Sequence, residues 1–193
     1  MKTNIIIAGV GGQGILSIAA CIGMAAINSG MYLKQSEVHG MSQRGGAVLS
    51  NLRLSDTEIS SDLIPLGQAG IIISVEPMES LRYLPWLAED GWLVTNTTPV
   101  KNISNYPEME ELLAEIKAVR NHVVIDADEI ARKIGSSRYS NMVVLGAAVP
   151  FIGLEYRSFE DGIAGIFEKK GRDVIEMNLQ ALKAGYKVSG KMV

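Results

Sequence analysis

The residues of this chain best placed to bind or react lie in two glycine-rich stretches. In the first, Gly9-Val10-Gly11-Gly12-Gln13-Gly14, glycine fills four of six positions, after the apolar run Ile5-Ile6-Ile7-Ala8 and before a helix-forming segment that starts at Ile15. That order reads as strand, tight turn, helix. Glycine supplies positive φ and lets a ligand or a second backbone approach where a Cβ would otherwise stand. The first N–H groups of the helix then point into the turn unpaired, and with the helix dipole they favour a phosphate or carboxylate there. Gly9, Gly11, Gly12, Gln13 and Gly14 are therefore candidate cofactor-binding residues. The competing reading is that these glycines only let the first helix pack closely on the sheet.

The turn alone names no ligand. Gly9, Gly11 and Gly14 match G-x-G-x-x-G, but a dinucleotide site also asks for an acidic residue about 20 residues on. None stands between Gly30 and Lys34, and Glu37 comes late. A triphosphate loop would need Lys and Ser or Thr where Ile15 and Leu16 stand.

The second stretch, Ser36-Glu37-Val38-His39-Gly40-Met41-Ser42-Gln43-Arg44-Gly45-Gly46, directly follows a strand predicted over Met31 to Val38. Open α/β sheets bind ligands at the carboxyl ends of their strands, so this loop and the glycine turn are expected on one rim. Glu37, His39, Gln43, Arg44, Gly45 and Gly46 are candidates to face substrate or a partner. His39, beside Glu37 and Arg44, suits proton transfer or anion binding, or else hydrogen-bonds backbone. Arg44 with Gly45 and Gly46 suits bidentate capture of a carboxylate or phosphate, or else pairs with Glu37.

No catalytic set is complete, and no metal-ligand spacing is present. Asp126, Asp128 and Glu129 form an acidic cluster in which Asp128 reads as a helix cap rather than a metal ligand. His122 reads as structural. Cys21, the only cysteine, sits among Ile18, Ala19, Ile22 and Ala25 and reads as a small buried apolar residue. A single cysteine cannot hold an iron–sulfur cluster, which takes four thiolates. A ligand edge with no reacting groups implies that something else supplies the chemistry.

The elements that must carry these loops follow from the apolar pattern. Residues 13–28 have helical spacing, and Met31–Val38 reads as a second strand reached by a right-handed crossover. Residues 51–55 alternate polar and apolar, which predicts an antiparallel or edge strand, whereas the continuous apolar run 70–75 predicts a central parallel strand. Pro77 opens a helix that Pro85 interrupts. Strands over 92–96 and 122–126 follow, with helices over 108–120 and 128–134. From Asn141 the pattern is helical only, and the apolar segment Met142–Leu154 is either buried or an interface. The expected fold is α/β, a three-layer α/β/α sandwich with a mostly parallel Rossmann-like sheet and a helical C-terminal quarter. Its 193 residues, 47% hydrophobic and 20% charged, suit one domain over 1–193. A net charge of −3 argues against nucleic acid as a partner. No apolar run reaches the ~18 residues of a membrane span, and no signal-peptide pattern opens the chain, so a cytoplasmic protein without a membrane partner is expected.

The two loops together resemble the gamma domain of 2-oxoacid:ferredoxin oxidoreductases, and the second is most similar in form to that of indolepyruvate ferredoxin oxidoreductase beta subunits. Glu76-Pro77, Asn96-Thr97-Thr98-Pro99-Val100, Asn141 with Leu145-Gly146, and Asn178-Leu179 with Ala184-Gly185 extend the match along nearly the whole chain. The resemblance implies an accessory subunit whose larger alpha partner holds thiamine diphosphate, magnesium and 4Fe-4S clusters, no cofactor being bound by this chain alone. Such complexes oxidatively decarboxylate a 2-oxoacid, pass electrons to ferredoxin and form an acyl-coenzyme A, and the two loops would face the partner or the coenzyme A entrance. Two further readings stay open at this point. One is a free-standing dinucleotide- or nucleotide-binding module; the other is a structural dimer formed through Met142–Leu154.

Overall fold

The computed structural model describes residues 1–39 and 45–190, His39 by its backbone only. Six strands form one sheet in the order β2-β3-β1-β4-β5-β6. They are β1 (Lys2–Val10), β2 (Tyr32–His39), β3 (Ala47–Ser55), β4 (Ala69–Ser74), β5 (Leu87–Asn96) and β6 (His122–Ile125). The helices are α1 (Ile15–Asn28), α2 (Pro77–Arg82), α3 (Met109–Ala118), α4 (Ala127–Ile134), α5 (Ser140–Ala148), α6 (Tyr156–Phe167) and α7 (Arg172–Ser189).

The β1–β4, β4–β5 and β5–β6 ladders are parallel, while β3 runs antiparallel to both β1 and β2. The sheet is therefore mixed. β2 points the same way as β1, as a crossover through α1 requires, but β3 is threaded between them. The alternating stretch around 51–55 is thus antiparallel, as its pattern predicts, but it is not at the edge; β2 is. The polar positions of β3 are satisfied inside the sheet: Arg53 Nε donates to Asn4 Oδ1 at 3.0 Å, and Ser50 and Asn51 are buried.

Alternation of side chains across the strands makes two cores. Ile5, Ile7, Leu52, Leu54, Ile71, Ile73, Val94 and Val123 face α1 and the helices α4 to α7, while Ile6, Ala8, Ile72 and Leu93 face α2 and α3. The first layer holds the helical C-terminal quarter together with α1 and α4. Its central helix α5 is buried from Asn141 to Ala148, so the apolar segment that begins at Met142 belongs to the interior and offers no dimer surface there. Two glycines let α5 and α7 touch backbone to backbone. A Cβ on Gly146 would stand 2.0 Å from the Leu182 carbonyl oxygen, and one on Gly185 would stand 1.9 Å from that of Val143.

Several local expectations shift by a few residues. Pro77 does open a helix, and Pro85 falls in a separate 3-10 turn over Leu84–Trp86. At α4 the cap is Asp126, whose carboxylate accepts from the Glu129 N–H at 2.8 Å. Asp128 is inside the first turn and accepts instead from Asn96 Nδ2 at 2.8 Å, which corrects its reading as the cap. Cys21 is fully buried, and burial pushes its thiol up to about 12. No described helix is long and apolar enough to cross a membrane.

Candidate functional site

The carboxyl ends of β1, β4, β5 and β6 share one rim, since these strands run parallel. The crossover from β1 goes to one side, through α1 to β2, and that from β4 goes to the other, through α2 to β5. The chain therefore diverges between β1 and β4, the place where an open α/β sheet leaves a crevice. In this molecule the crevice is bridged by Gln13. Its Oε1 accepts from the Val10 N–H at 2.7 Å, and its Nε2 donates to the Val75 carbonyl at 3.2 Å. The side chain so ties the end of β1 to the residue just past β4.

Each glycine of the turn has its own constraint. A Cβ on Gly9 would stand 2.4 Å from Val75 Cγ2 and 3.0 Å from Gln13 Oε1, so the packing of the Gln13 bridge excludes a side chain there. Gly14 starts α1 with φ +80°, and a Cβ there would meet Asn141 Nδ2 at 2.4 Å. That same Nδ2 donates to the Gly14 carbonyl at 3.2 Å, while Asn141 Oδ1 accepts from the Met142 N–H at 2.9 Å. Asn141 thereby fixes the start of α1 to the start of α5. Gly12, in contrast, has φ +99° and open space around it.

The second glycine stretch meets the first. Gly11 N–H donates to the Gly46 carbonyl at 2.9 Å, and Gly9 and Val10 pair with Val48 and Ala47 at the start of β3. Gly45 in turn accepts from Asn102 Nδ2, a residue of the segment that follows β5. Glu37 lies near the end of β2, opposite Ser50, and accepts from Gln35 Nε2. The backbone of His39 ends β2 opposite Val48, two strands from Gly9. Gln43 and Arg44 fall outside the described residues, as does the His39 side chain. The described ends of the second stretch thus share one rim with the first, and the Gly11–Gly46 bond joins the two directly.

The reading of the sequence noted Glu76, Asn96 and Asn141 only as points of resemblance, not as the polar residues that hold this rim together. Glu76, fully buried at the end of β4, accepts from the Glu79 N–H at 2.8 Å, the Val100 N–H at 3.2 Å and the Tyr106 hydroxyl. One carboxylate caps α2 and pins the segment over 97–106 at two points. Burial, followed by the hydrogen bond to Glu76, raises the Tyr106 phenol above its usual value and keeps it a donor. Asn96 works similarly at the end of β5. Its Oδ1 accepts from the Thr97 and Ala127 N–H groups at 3.0 and 2.9 Å, and its Nδ2 donates to Asp128. Pro77 at the start of α2 marked position 76 as its N-cap, but glutamate is not among the usual capping residues, so the type gave no signal.

Two cavities flank the turn and share Gly12, Gln13 and Arg138 as lining. One of about 230 Å³ reaches Asn96, Thr98 and Asp128; the other, about 420 Å³, reaches Ser17, Asn178 and Lys170. The first is lined by both a carboxylate, Asp128, and a guanidinium, Arg138. The second combines two cationic side chains with the first turn of α1, an arrangement suited to an anion. Neither contains a nucleophile with an adjacent base. No cluster of His, Cys, Asp and Glu able to hold a metal occurs among the described residues, and the one thiol is buried in the core. The residues of this chain do not fit an iron–sulfur cluster.

The chain resembles known proteins along its whole length. Residues 4–188 match the family model described as pyruvate ferredoxin/flavodoxin oxidoreductase. The indolepyruvate oxidoreductase subunit IorB of Archaeoglobus fulgidus is 36% identical, with 99% of this chain and 98% of that protein covered. The subunit of the same name from Methanothermobacter thermautotrophicus is 35% identical over 96% of this chain and 97% of its own. Among solved structures, a keto/oxoacid ferredoxin oxidoreductase gamma subunit from Geobacter sulfurreducens is similar in fold with a TM-score of 0.74 at 22% identity, and 98% of this chain and 99% of that one are covered. A 2-oxoglutarate:ferredoxin oxidoreductase from Magnetococcus marinus, solved with 2-oxoglutarate, coenzyme A and succinyl-CoA bound, gives a TM-score of 0.78 at 19% identity; this chain is wholly covered and spans 32% of that one. By its sequence and its mixed six-stranded sheet, this chain belongs to the pyruvate ferredoxin/flavodoxin oxidoreductase family.

Proposed function

We propose that this chain is the small subunit of a cytoplasmic 2-oxoacid:ferredoxin oxidoreductase acting on indolepyruvate or a related aryl pyruvate. The observation that carries this reading is the identity of 36% with an indolepyruvate oxidoreductase subunit, with nearly all of both chains covered. The site is consistent with it. A rim built from glycine turns and satisfied polar residues, without nucleophile or cluster ligands, needs a partner for its chemistry. In this reading the larger subunit holds thiamine diphosphate with magnesium and the 4Fe-4S clusters, and ferredoxin is reached through it.

The rim is the part offered to that partner. Glu37, His39, Gln43, Arg44, Gly45 and Gly46 form the loop that faces the larger subunit, or the substrate and coenzyme A entrance between the two. Gly9, Gly11, Gly12, Gln13 and Gly14 set the backbone of that entrance, and Arg138 and Lys170 supply positive charge for the anionic parts of a coenzyme A or oxoacid. The exposed apolar side chains Leu16, Val38 and Ile103 stand at or near the same rim, where a partner surface would cover them.

A stand-alone nucleotide-binding module is the competing reading, favoured by the glycine turn. Against it stands Gln13, whose amide bridges the crevice in which an open α/β sheet receives a dinucleotide. Reconstitution decides between the two. Alone, the chain should not reduce a ferredoxin substitute with aryl pyruvate, thiamine diphosphate and coenzyme A, and it should do so once the larger subunit is added. Activity from the isolated chain would overturn the subunit reading, and micromolar binding of NAD, FAD or ATP by the isolated chain in calorimetry would favour the module.

A further inference from the structure

At the end of the sheet opposite the rim, where β1 begins and β3 ends, basic side chains from three strands share one face. Arg53 of β3 is the register partner of Lys34 on β2 and of Asn4 on β1. Lys2 stands two positions before Asn4, so alternation along β1 puts it on the same side. Like charges directly opposed across two strands destabilise a sheet unless something compensates them. Carboxylates do not, since among the described residues Lys2, Lys34 and Arg53 form no ion pair, and Asp56 pairs with the amino group of Met1. Uncharged acceptors take up part of the charge. Arg53 Nε donates to Asn4 Oδ1 at 3.0 Å, its Nη1 donates to the Ser61 and Leu63 carbonyls at 2.9 and 3.0 Å, and Lys34 Nζ reaches the Ser60 carbonyl at 3.3 Å.

Those bonds fix the plane of the guanidinium and leave a defined remainder. Nη2, with two N–H groups, has no acceptor among the described residues. Arg53 and Lys2 line a cavity of about 300 Å³, closed by the segment over 57–61. Ser60 and Ser61 line it too. Ser61 Oγ accepts from the Leu63 N–H at 3.2 Å, which leaves its hydroxyl hydrogen to donate. An ammonium, half of a rigid guanidinium and two hydroxyls thus surround one space, and Glu58 is the acidic side chain on its described lining.

We propose that this cavity binds a phosphate group, about 25 Å from the glycine turn along β1. A carboxylate offers two oxygens in one plane, whereas a phosphate offers oxygens in several directions and so can accept from donors that arrive from β1, β3 and the segment over 57–61 together. The ion compensates the opposed charges of Arg53 and Lys34 and ties that segment to the two strands. Inorganic phosphate and a small phosphomonoester share this chemistry, and a cavity at the lower end of the size range of small-molecule sites admits either.

The full chain titrated with phosphate, against chloride at equal ionic strength, should show shifts of the backbone amide resonances over 57–61. Its thermal midpoint should rise by about 3–6 °C at ten times the dissociation constant. Lys2→Met, at an exposed position whose side chain makes no hydrogen bond among the described residues, should weaken binding about tenfold. Glu58→Gln removes the charge that opposes the anion and should strengthen binding about three- to fivefold. Arg138→Ala with Lys170→Ala alters the rim cavity and should leave the response over 57–61 as it was. Glycerol phosphate that binds more tightly than inorganic phosphate would identify an ester as the ligand, and equal or weaker binding the free ion; both outcomes keep the site. Amides over 57–61 that respond to phosphate no more than to chloride would overturn the proposal, as would binding indifferent to Lys2→Met. Weaker phosphate binding by Glu58→Gln would also overturn it, because the cavity would then require its carboxylate.

Discussion

Replacing Glu76 by glutamine tests how the rim is held. The native carboxylate is fully buried and offers two oxygens to three donors: Oε2 to the Glu79 N–H, and Oε1 to the Val100 N–H and the Tyr106 hydroxyl. A carboxylate only accepts, whereas an amide presents one oxygen and one NH2 group. Whichever way the amide turns, its NH2 points at a donor. With the amide oxygen toward Val100 and Tyr106, the Glu79 N–H at the start of α2 loses its acceptor. The opposite rotamer leaves the Val100 N–H without an acceptor, while the Tyr106 hydroxyl can turn to accept from the NH2. A buried donor without an acceptor costs about 1–3 kcal/mol, and the remaining bonds lose their charge assistance. Together these put Glu76→Gln at about 2–4 kcal/mol of lost stability.

Thermal unfolding followed by circular dichroism reads this directly. For a chain of this size each kcal/mol shifts the midpoint by about 2–4 °C, so a fall of about 5–15 °C is expected. Tyr106→Phe removes one bond only and should cost about 1 kcal/mol. In the double variant the Tyr106 hydroxyl no longer has anything to lose, so the two effects should sum to less than their separate values. The phenol also sets a pH test. Its folded value is raised above the ordinary 10, by burial first and Glu76 second, so its contribution is complete below about 10 and fades as pH rises beyond that. Tyr106→Phe should lack this alkaline loss. A Glu76→Gln protein that melts within a degree of the native one would refute the account of the rim as held by this carboxylate.

Glycine substitutions separate close packing from open space. Gly185→Ala puts a Cβ 1.9 Å from the Val143 carbonyl oxygen, where neither backbone can yield cheaply, and should cost about 3 kcal/mol or more in urea unfolding. Gly165→Ala, in α6 with nothing within 4 Å, should stabilise by about 0.5–1 kcal/mol through helix propensity. For Cys21, burial raises the thiol from 9.0 to about 12, so the native chain should not react with a thiol reagent at pH 8 and should react on unfolding. Because the folded value is the higher one, the stability linked to this thiol is intact below about 9 and is lost as pH rises towards about 12.

What was legible in the sequence follows from how local its cause is. The glycine turn, the central strand β4 and the amphipathic helix α3 are set by residues that are neighbours in the chain, and their positions come out close to the patterns that announce them. The place of β3 does not follow locally. Its alternation records one polar side, but insertion between β2 and β1 rather than addition at the edge depends on Arg53 and Asn51 finding partners in Asn4 and in Ser36 of the strand alongside. The cap of α4 turned on a similar contingency: Asp126 and Asp128 are equally good caps by type, and the choice between them is made by Asn96, 32 positions before Asp128, which engages Asp128 and leaves Asp126 to the helix. Asn141, Glu76 and Asn96 escaped notice as rim residues for the same reason, since each joins segments far apart in the chain. The glycine motif announces that backbones come close, and only the fold shows that the close neighbours of Gly9 and Gly14 are Val75 and Asn141 of the chain itself.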